Sequence, residues 1–171
     1  LKTTPNADGL THKTSCKRCG WTSPDEKHDF RNGACVCGIE KSAEYGGQEY
    51  ASLQAAVNAA AVSSGDKVTL ARDVAENVTV TGGTLTVDLS GKNWRANIRE
   101  NPNILGRIPL TVTGGSVTLE NGTLDQGRTT SAGSYGIRIQ GGSVTVKGDA
   151  VVIGSNKDGA AQLPPAPAIE L

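Results

Sequence analysis

One phrase recurs three times in the second part of this chain of 171 residues. Each copy is an alternation of apolar and polar residues, then a Gly-Gly pair, a Ser or Thr, and a second alternation. The copies read TVTGGTLTV at 79–87, TVTGGSVTL at 111–119 and RIQGGSVTV at 138–146. Successive copies lie about 30 residues apart, and self-similarity at such a spacing indicates an architecture in which each repeat packs on its neighbours.

The residues around each Gly pair have the period of two that is typical of half-buried strands. The continuations LENGTL at 119–124 and VKGDAVV at 146–152 add another short strand to each repeat. Three short strands per repeat, with Gly, Asn and Asp at the corners, predict one coil of a parallel β-helix. The alternative is an antiparallel sandwich, because Gly-Gly pairs also form hairpin turns. Hairpins alone do not explain why the whole phrase recurs.

Stacked coils would place the inward aliphatic side chains of one repeat above those of the next. Aligning the copies predicts two such columns, Val80 with Val112 and Ile139, and Val87 with Leu119 and Val146. The outward Thr side chains would form exposed ladders. Each end of such a stack exposes strand edges and apolar core, and therefore needs a cap.

The stretch before the first repeat has the period of an amphipathic helix. Its apolar face consists of Leu53, Ala56, Val57 and Ala60. Ser52 is placed to be the N-cap, and Gly65 follows the last apolar position. The sequence therefore predicts a helix at 51–61 that caps the N-terminal end of the stack.

Composition and charge exclude two classes of interaction. The chain has 17 basic and 17 acidic residues and no long run of one sign, so no nucleic-acid surface is predicted. The apolar runs are only a few residues long, whereas a spanning helix needs about 20, so no membrane insertion is predicted. Aromatic residues make up 4% and Met is absent, which favours thin β-structure with stacked aliphatic side chains.

All the sulfur and all the imidazole of the chain lie near its N-terminus. The Cys residues form two close pairs, in CKRCG at 16–20 and in CVCG at 35–38. The predicted ligands of one structural Zn²⁺ are Cys16, Cys19, Cys35 and Cys37, with His12 and His28 as alternative ligands. Such a closed ligand set would supply the folding free energy that a module of roughly 30 residues lacks. The alternative is two disulfides, which an extracellular location would favour.

This segregation predicts separate modules along the chain. The predicted divisions are a leader at 1–11, a Cys/His module at 12–38, a linker at 39–49, and the repeat region with its capping helix at 50–171. No basic-then-apolar leader begins the chain. If the protein is exported, its signal peptide is expected to be absent from this chain.

Residues 50–92 resemble the start of pectin-lyase-like right-handed β-helices, in particular the β-helix regions of Gram-positive bacterial cell-surface proteins. The matching features are the Ser-Leu-x-x-Ala-Val helix from Ser52, a Gly-Asp turn at 65–66, the VTL strand at 68–70 and DLSGK at 88–92. The N-terminal segment resembles the small zinc-ribbon-like Cys/His modules of such proteins, although CVCG has one residue between its Cys where the pattern has two. The resemblance implies an all-β, right-handed parallel β-helix, a solenoid with an N-terminal capping helix and a small Cys-rich module.

The same resemblance implies an exported protein at the cell surface. Its expected role is binding, adhesion or display without catalysis in this chain, and its expected partner is a host or cell-wall glycan or protein. The alternative is a fragment of a polysaccharide lyase or glycoside hydrolase with a β-helix fold. Acidic candidates for that activity are Asp88, Glu120, Asp125, Asp149 and Asp158, but the repeat region contains no His and no adjacent Asp pair.

Two interruptions of the repeat, at 93–109 and 125–136, are the candidate ligand-binding loops. The candidate ligand-binding residues in them are Trp94, Arg95, Arg99, Arg107 and Tyr135. A Trp near Arg and Asn suits stacking on a sugar ring or holding an acidic ligand. The alternative is that Trp94 folds back and covers the side of the coil.

The C-terminal end of the predicted stack has no evident cap in the sequence. The tail GAAQLPPAPAIEL at 159–171 has a Pro-rich corner, and its AIEL resembles the start of another strand. We therefore expect this end either to continue in a longer protein or to be covered by a partner. Self-association through the C-terminal end is one form of the second outcome.

Overall fold

The computed structural model describes residues 1–6, 10–62, 66–97, 108–126, 135–154 and 169–170. Over these residues the chain is mostly β, with one helix and several sheets. This confirms the prediction of a β-rich fold with a single helix before the repeats. Within the described residues, no helix has the length and apolar character needed to span a membrane.

A small antiparallel sheet lies at the N-terminus. Its strands are β1 (Lys2–Pro5), β2 (Thr11–Ser15) and β3 (Glu26–Lys27), with β2 in the centre. Thr residues suit strands, and the Thr3 and Thr14 hydroxyls hydrogen-bond across the β1–β2 pair at 3.0 Å. Within the leader predicted at 1–11, β1 thus forms a strand that pairs with the module that follows.

A tight hairpin joins the N-terminal part to the main body. It consists of β4 (Ala43–Tyr45) and β5 (Gln48–Tyr50), connected by Gly46 and Gly47, which both have positive φ. A Gly-Gly pair between alternating residues is a strong hairpin signal. Most of the linker predicted at 39–49 thus forms a pair of strands.

The helix α1 (Leu53–Ala61) follows directly. The Ser52 side chain accepts a hydrogen bond from the Ala55 backbone N–H at 3.2 Å and so caps the helix as predicted. The four residues of its predicted apolar face are buried: Leu53, Ala56, Val57 and Ala60. The predicted helix is confirmed to within two residues at its start.

The rest of the described chain is built from short strands. In chain order they are β6 (Asp66–Leu70), β7 (Val74–Ala75), β8 (Val78–Val80), β9 (Thr84–Asp88), β10 (Asn93–Arg95), β11 (Leu110–Val112), β12 (Ser116–Glu120), β13 (Thr123–Asp125), β14 (Ile137–Ile139), β15 (Ser143–Lys147), β16 (Val151–Ile153) and β17 (Ile169–Glu170).

Three parallel ladders collect these strands in a cyclic order. One ladder is β6-β9-β12-β15, the second is β7-β10-β13-β16 and the third is β8-β11-β14-β17, and the hairpin strand β4 adds an antiparallel partner to β6. Consecutive strands therefore enter the first, second and third ladder in turn. The strands on either side of each Gly-Gly pair lie in different ladders, so these pairs are not hairpin turns.

The repeated phrases pair in register with one another. Val80 lies opposite Val112, which lies opposite Ile139, and Val87, Leu119 and Val146 are paired in the same manner. The two predicted columns of aliphatic residues are therefore confirmed. Their first two members are buried, whereas 40% of Val146 is exposed on the last strand of its ladder.

The recurrence of the Gly-Gly pair has a steric cause. A Cβ added to Gly115 would lie 2.3 Å from the carbonyl oxygen of Gly83, and one added to Gly142 would lie 2.1 Å from that of Gly115. Real Cβ atoms do not approach backbone so closely, and Gly115 also has a φ of +82°. The turns of successive repeats therefore stack on each other with no space for a side chain.

The two ends of the ladders differ in how they are covered. At the first end, the Gln54 amide of α1 bonds both the N–H and the carbonyl of Thr79, at 2.8 and 3.0 Å, and so satisfies the edge of β8. The Glu76 carboxylate accepts hydrogen bonds from the first backbone N–H groups of α1. The helix thus covers this end of the ladders. At the other end, the last strands leave apolar residues exposed, namely Val146, Val151, Ile153 and Ile169.

Candidate metal centre

The small N-terminal sheet brings one His and then a second into its interior. His12 is the second residue of β2 and is 4% exposed, and His28 follows β3 directly. Because β2 and β3 are antiparallel, with His12 paired to Glu26, the two imidazoles meet with ring centroids 5.3 Å apart. Phe30 is buried and stacks obliquely against His28 at 5.5 Å, which closes one side of this interior.

A compact loop brings the second Cys pair to the same place. The loop is held by hydrogen bonds from Cys35 N–H to the Ile39 carbonyl and from Gly38 N–H to the Cys35 carbonyl, both at 2.8 Å. Gly38 has a φ of +86°, which a residue with a side chain rarely adopts. This turn directs Cys35 and Cys37 to the two imidazoles.

Four donor atoms converge at this point. Each of His12, His28, Cys35 and Cys37 offers one, and all four lie within 4.8 Å of one another. The Cys35 sulfur is 3.5 Å from His12 Nδ1, the Cys37 sulfur is 3.4 Å from His28 Nδ1, and the two Nδ1 atoms are 3.4 Å apart. Metal–nitrogen bonds of about 2.0 Å and metal–sulfur bonds of about 2.3 Å place tetrahedral ligand atoms about 3.3–3.8 Å apart. The observed separations fit such a centre.

The protonation of the thiols also bears on metal binding. Burial raises the pKa of Cys37 above 9.0, the usual value for a thiol, and the neighbouring Cys35 raises it further. The backbone N–H groups of Ile39 and Cys37 lower the pKa but do not cancel this rise. A divalent cation reverses such a rise, because it stabilises the thiolate that it binds. On the outer side, the Glu26 carboxylate lies 3.7 Å from Nε2 of His12, a position from which it can orient the ring.

The ligand set differs from the one that the Cys spacing predicts. Cys35 and Cys37 are in the cluster, but Cys16 and Cys19 are not, and the two His residues take their places. The reason is that the CKRCG turn lies beyond the end of β2, where Cys19 is exposed. His12, four residues before Cys16, is the residue of β2 whose side chain points inward. Among the described residues this is the single group of three or more metal-ligand side chains.

The candidate ligand-binding residues that the structure describes in the repeat region, Trp94, Arg95 and Tyr135, differ in burial and in their contacts. Trp94 is fully buried in the core, and its indole N–H donates to the Glu76 carbonyl at 2.9 Å, so its ring presents no face to solvent. Arg95 is exposed and forms an ion pair with Asp125 at 3.5 Å. Tyr135 is partly buried, with the Arg138 guanidinium 5.9 Å from its ring centre. Arg99 and Arg107 lie outside the described residues.

Two of the acidic candidates, Asp88 and Glu120, are neighbours on adjacent strands. They are paired in register in the β9–β12 ladder, and the Lys67 ammonium bridges both carboxylates. Burial raises the pKa of Asp88, but the N–H of Ser90, the amide of Asn121 and Lys67 outweigh it and lower the pKa overall. A carboxylate held ionised in this way does not serve as a general acid. Asp158 lies outside the described residues.

Comparisons with protein-family models, with curated proteins and with solved structures found no match to this chain. The assignment of a role therefore depends on the geometry of the described residues.

Proposed function

We propose that the N-terminal part of the chain is a zinc-stabilised structural module, with His12, His28, Cys35 and Cys37 as the four ligands of one Zn²⁺. The observation that carries this proposal is the set of donor separations of 3.4–3.5 Å, which matches a tetrahedron of nitrogen and sulfur ligands. Four protein ligands leave no open position, so the zinc has a structural role and no catalytic one.

Metal analysis of the purified protein tests this proposal. Protein prepared without chelator is expected to contain one zinc per chain. Cys35→Ser and His28→Ala are expected to lose it, and Cys16→Ser and Cys19→Ser, matched substitutions in the same module, are expected to retain it. Loss of zinc in the Cys16→Ser variant with retention in His28→Ala would restore the ligand set that the sequence predicts. Protein that contains no zinc and, after denaturation, no free thiols would support the disulfide alternative.

The repeat region is, in this proposal, a right-handed parallel β-helix. The support is the cyclic order in which consecutive strands enter three parallel ladders, together with the in-register pairing of the repeated phrases. A sheet made only of parallel strands needs a crossover between each pair, and here the crossovers are the strands of the other two ladders. Cryo-electron microscopy or crystallography of the zinc-loaded protein decides this point, and a fold in which the three ladders belong to separate flat sheets would contradict it.

The whole chain then serves as a binding or display module of an extracellular, cell-surface protein, with a glycan or protein as its partner. Its support is a scaffold in which Lys67 forms ion pairs with both Asp88 and Glu120, while exposed side chains such as Arg95, which pairs with Asp125, lie at strand ends. A glycan array probed with the zinc-loaded chain tests the glycan form of this role. Binding that is reduced in Arg95→Ala but unchanged in the control variant Lys67→Ala would support the proposal. The absence of binding to any glycan would contradict a glycan partner.

The enzymatic alternative depends on one specific observation. Asp88 and Glu120 are paired carboxylates on adjacent strands of one ladder. Pairs of carboxylates are the catalytic groups of most glycoside hydrolases. Incubation with acidic and neutral polysaccharides, followed by measurement of new reducing ends or unsaturated products, tests this alternative. Activity that is abolished in both Asp88→Asn and Glu120→Gln would favour the enzyme, and the absence of products would favour the binding module.

A further inference from the structure

The Cys16–Cys19 turn is a second sulfur site, separate from the proposed zinc centre. Cys16 and Cys19 are separated by two residues in a turn that leaves β2 and re-enters the sheet through the Ser15–Thr22 bridge. The turn is closed by hydrogen bonds from Cys16 N–H to the Trp21 carbonyl at 2.8 Å and from Gly20 N–H to the Cys16 carbonyl at 2.9 Å. These bonds therefore fix the loop that carries both Cys residues.

Both thiols are accessible and free. Neither belongs to the metal-ligand cluster, Cys19 is exposed, and Cys16 is partly exposed. The Cys19 thiol, and then the backbone N–H groups of Cys19 and Arg18, lower the pKa of Cys16 below 9.0, the usual value for a thiol. The intervening residues Lys17 and Arg18 are exposed cations, and positive charge favours both the thiolate and the approach of an anionic reagent.

We propose that Cys16 and Cys19 form a redox-active dithiol that exchanges with anionic low-molecular-weight disulfides of the glutathione type. The Cys16 thiolate attacks one sulfur of the disulfide, a mixed disulfide forms on Cys16, and the first small thiolate leaves and takes up a proton. Cys19 then loses its proton and attacks the Cys16 sulfur, which releases the second small thiol. In total the two cysteines lose two electrons and two protons, and one disulfide is reduced to two thiols.

The full chain in its zinc-loaded form allows a direct test. It is equilibrated with mixtures of reduced and oxidised glutathione, the remaining thiols are alkylated, and peptides are mapped by mass spectrometry. The expected product is a Cys16–Cys19 disulfide, with Cys35 and Cys37 still reduced. Cys19→Ser is expected to accumulate glutathione on Cys16, whereas Cys16→Ser is expected to react at Cys19 at least tenfold more slowly. Thiols that remain reduced at every ratio would overturn the proposal.

Reagent charge gives a second and independent measurement. Oxidised glutathione is anionic and cystamine is cationic, so the anionic disulfide is expected to react several-fold faster at low salt. That ratio is expected to fall to near one when Lys17 and Arg18 are both replaced by Gln. The rate can be followed by the fluorescence of Trp21, which is 53% exposed beside the turn. The Trp21→Phe variant is the control, because it shows how much of the signal comes from Trp94. Equal rates for both reagents in the native protein would contradict the role given to the cations.

The outcome for this pair does not depend on the outcome for the zinc centre. If the chain binds two zinc ions and loses one of them in Cys16→Ser, the turn is a metal site and the redox proposal is wrong. If the chain binds no zinc but peptide mapping still finds the Cys16–Cys19 disulfide formed reversibly by glutathione, the redox proposal stands and the zinc proposal is wrong.

Discussion

The N-terminal module and the repeat region are held together by different kinds of interaction. In the module, two His and two Cys side chains meet between a small sheet and one loop, and few apolar residues besides Phe30 are buried. In the repeat region, more than a dozen aliphatic side chains form one continuous core, and the ladders are in register over successive repeats. Stability in the first part is therefore concentrated at one point, whereas in the second it is distributed along the stack.

This difference determines how each part responds to a substitution. A chain segment that is too short to bury a core needs a metal or disulfides, and the loss of one ligand then removes most of its stability. In a stack of repeats each unit contacts its neighbours only, so a single change has a local effect.

Removal of the proposed zinc is expected to have the largest effect. Binding of zinc by modules of this size has apparent free energies of about 10–16 kcal/mol, so a strong chelator is expected to unfold β1–β3. Hydrogen exchange measured by mass spectrometry is expected to show loss of protection in residues 2–5 and 10–41 and none in the ladders β6–β17. Equal loss of protection in both parts would show that the module and the repeats fold as one unit.

The stacked Gly corner is expected to be the most sensitive position of the repeat region. Gly115→Ala introduces a Cβ 2.3 Å from the Gly83 carbonyl oxygen at a φ of +82°, and we expect a loss of about 3 kcal/mol in the free energy of unfolding. Urea unfolding followed through the buried Trp94 measures this loss, and zinc content should not change.

Two further Gly positions separate the causes of that loss. Gly82 has no atom within 4 Å of an added Cβ and no unusual φ, so Gly82→Ala is expected to change stability by less than about 0.5 kcal/mol. Gly91 has a φ of +73° but equally open space, so Gly91→Ala isolates the backbone term of about 1 kcal/mol. A Gly82→Ala variant as unstable as Gly115→Ala would contradict the stacking explanation.

A buried amide in the repeat region offers a change in the opposite direction. Gln126 is 1% exposed, and neither atom of its amide has a hydrogen-bond partner within the described part of the chain. Because an unsatisfied buried polar group is costly, Gln126→Leu is expected to raise the free energy of unfolding by about 1 kcal/mol. Thermal unfolding measures this, with Gln126→Ala as the control for lost volume. A less stable Gln126→Leu variant would indicate that the amide has a partner.

The smallest expected effect is the pH dependence contributed by Asp88. Its pKa in the folded protein is lower than its ordinary value of 3.8, so its carboxylate stabilises the fold above that pH. This contribution is lost as the pH falls below 3.8 and through the lower folded value, and we expect it to be below about 1 kcal/mol. Urea unfolding of native protein and of Asp88→Asn between pH 5 and pH 2.5 should converge at the acidic end. A constant difference over this range would contradict the assignment.

Sequence reasoning performed well wherever a pattern repeats. The in-register columns Val80–Val112–Ile139 and Val87–Leu119–Val146 followed from aligning three copies of one phrase, and the helical spacing of apolar residues after Ser52 located α1. These features depend on local periodicity, which a single sequence displays directly.

It failed where partners are distant in the chain. The His12–His28 contact depends on which residues of β2 and β3 pair, and nothing in the spacing of the Cys pairs gives that register. The inward position of His12 could have been found from the alternation of THKTS, had β2 been recognised as a strand. The hairpin at Gly46-Gly47 carried a clear signal, but it was obscured by the short length of its strands. The sequence left two interpretations of Trp94, a ligand-binding residue or a residue that covers the side of the coil. The residues next to Trp94 in the chain do not show whether its side chain is buried.

The close approach of the Gly pairs also sets the unit in which this kind of protein can change its length. Each corner lies directly against the neighbouring corners, as Gly115 lies between Gly83 and Gly142. Insertion or deletion of an entire repeat therefore replaces one Gly–Gly contact by an equivalent one. Insertion of part of a repeat would instead place a residue with a side chain where the Gly residues of successive turns meet. Duplication of whole repeats is then the route by which a longer stack grows from the same two ends.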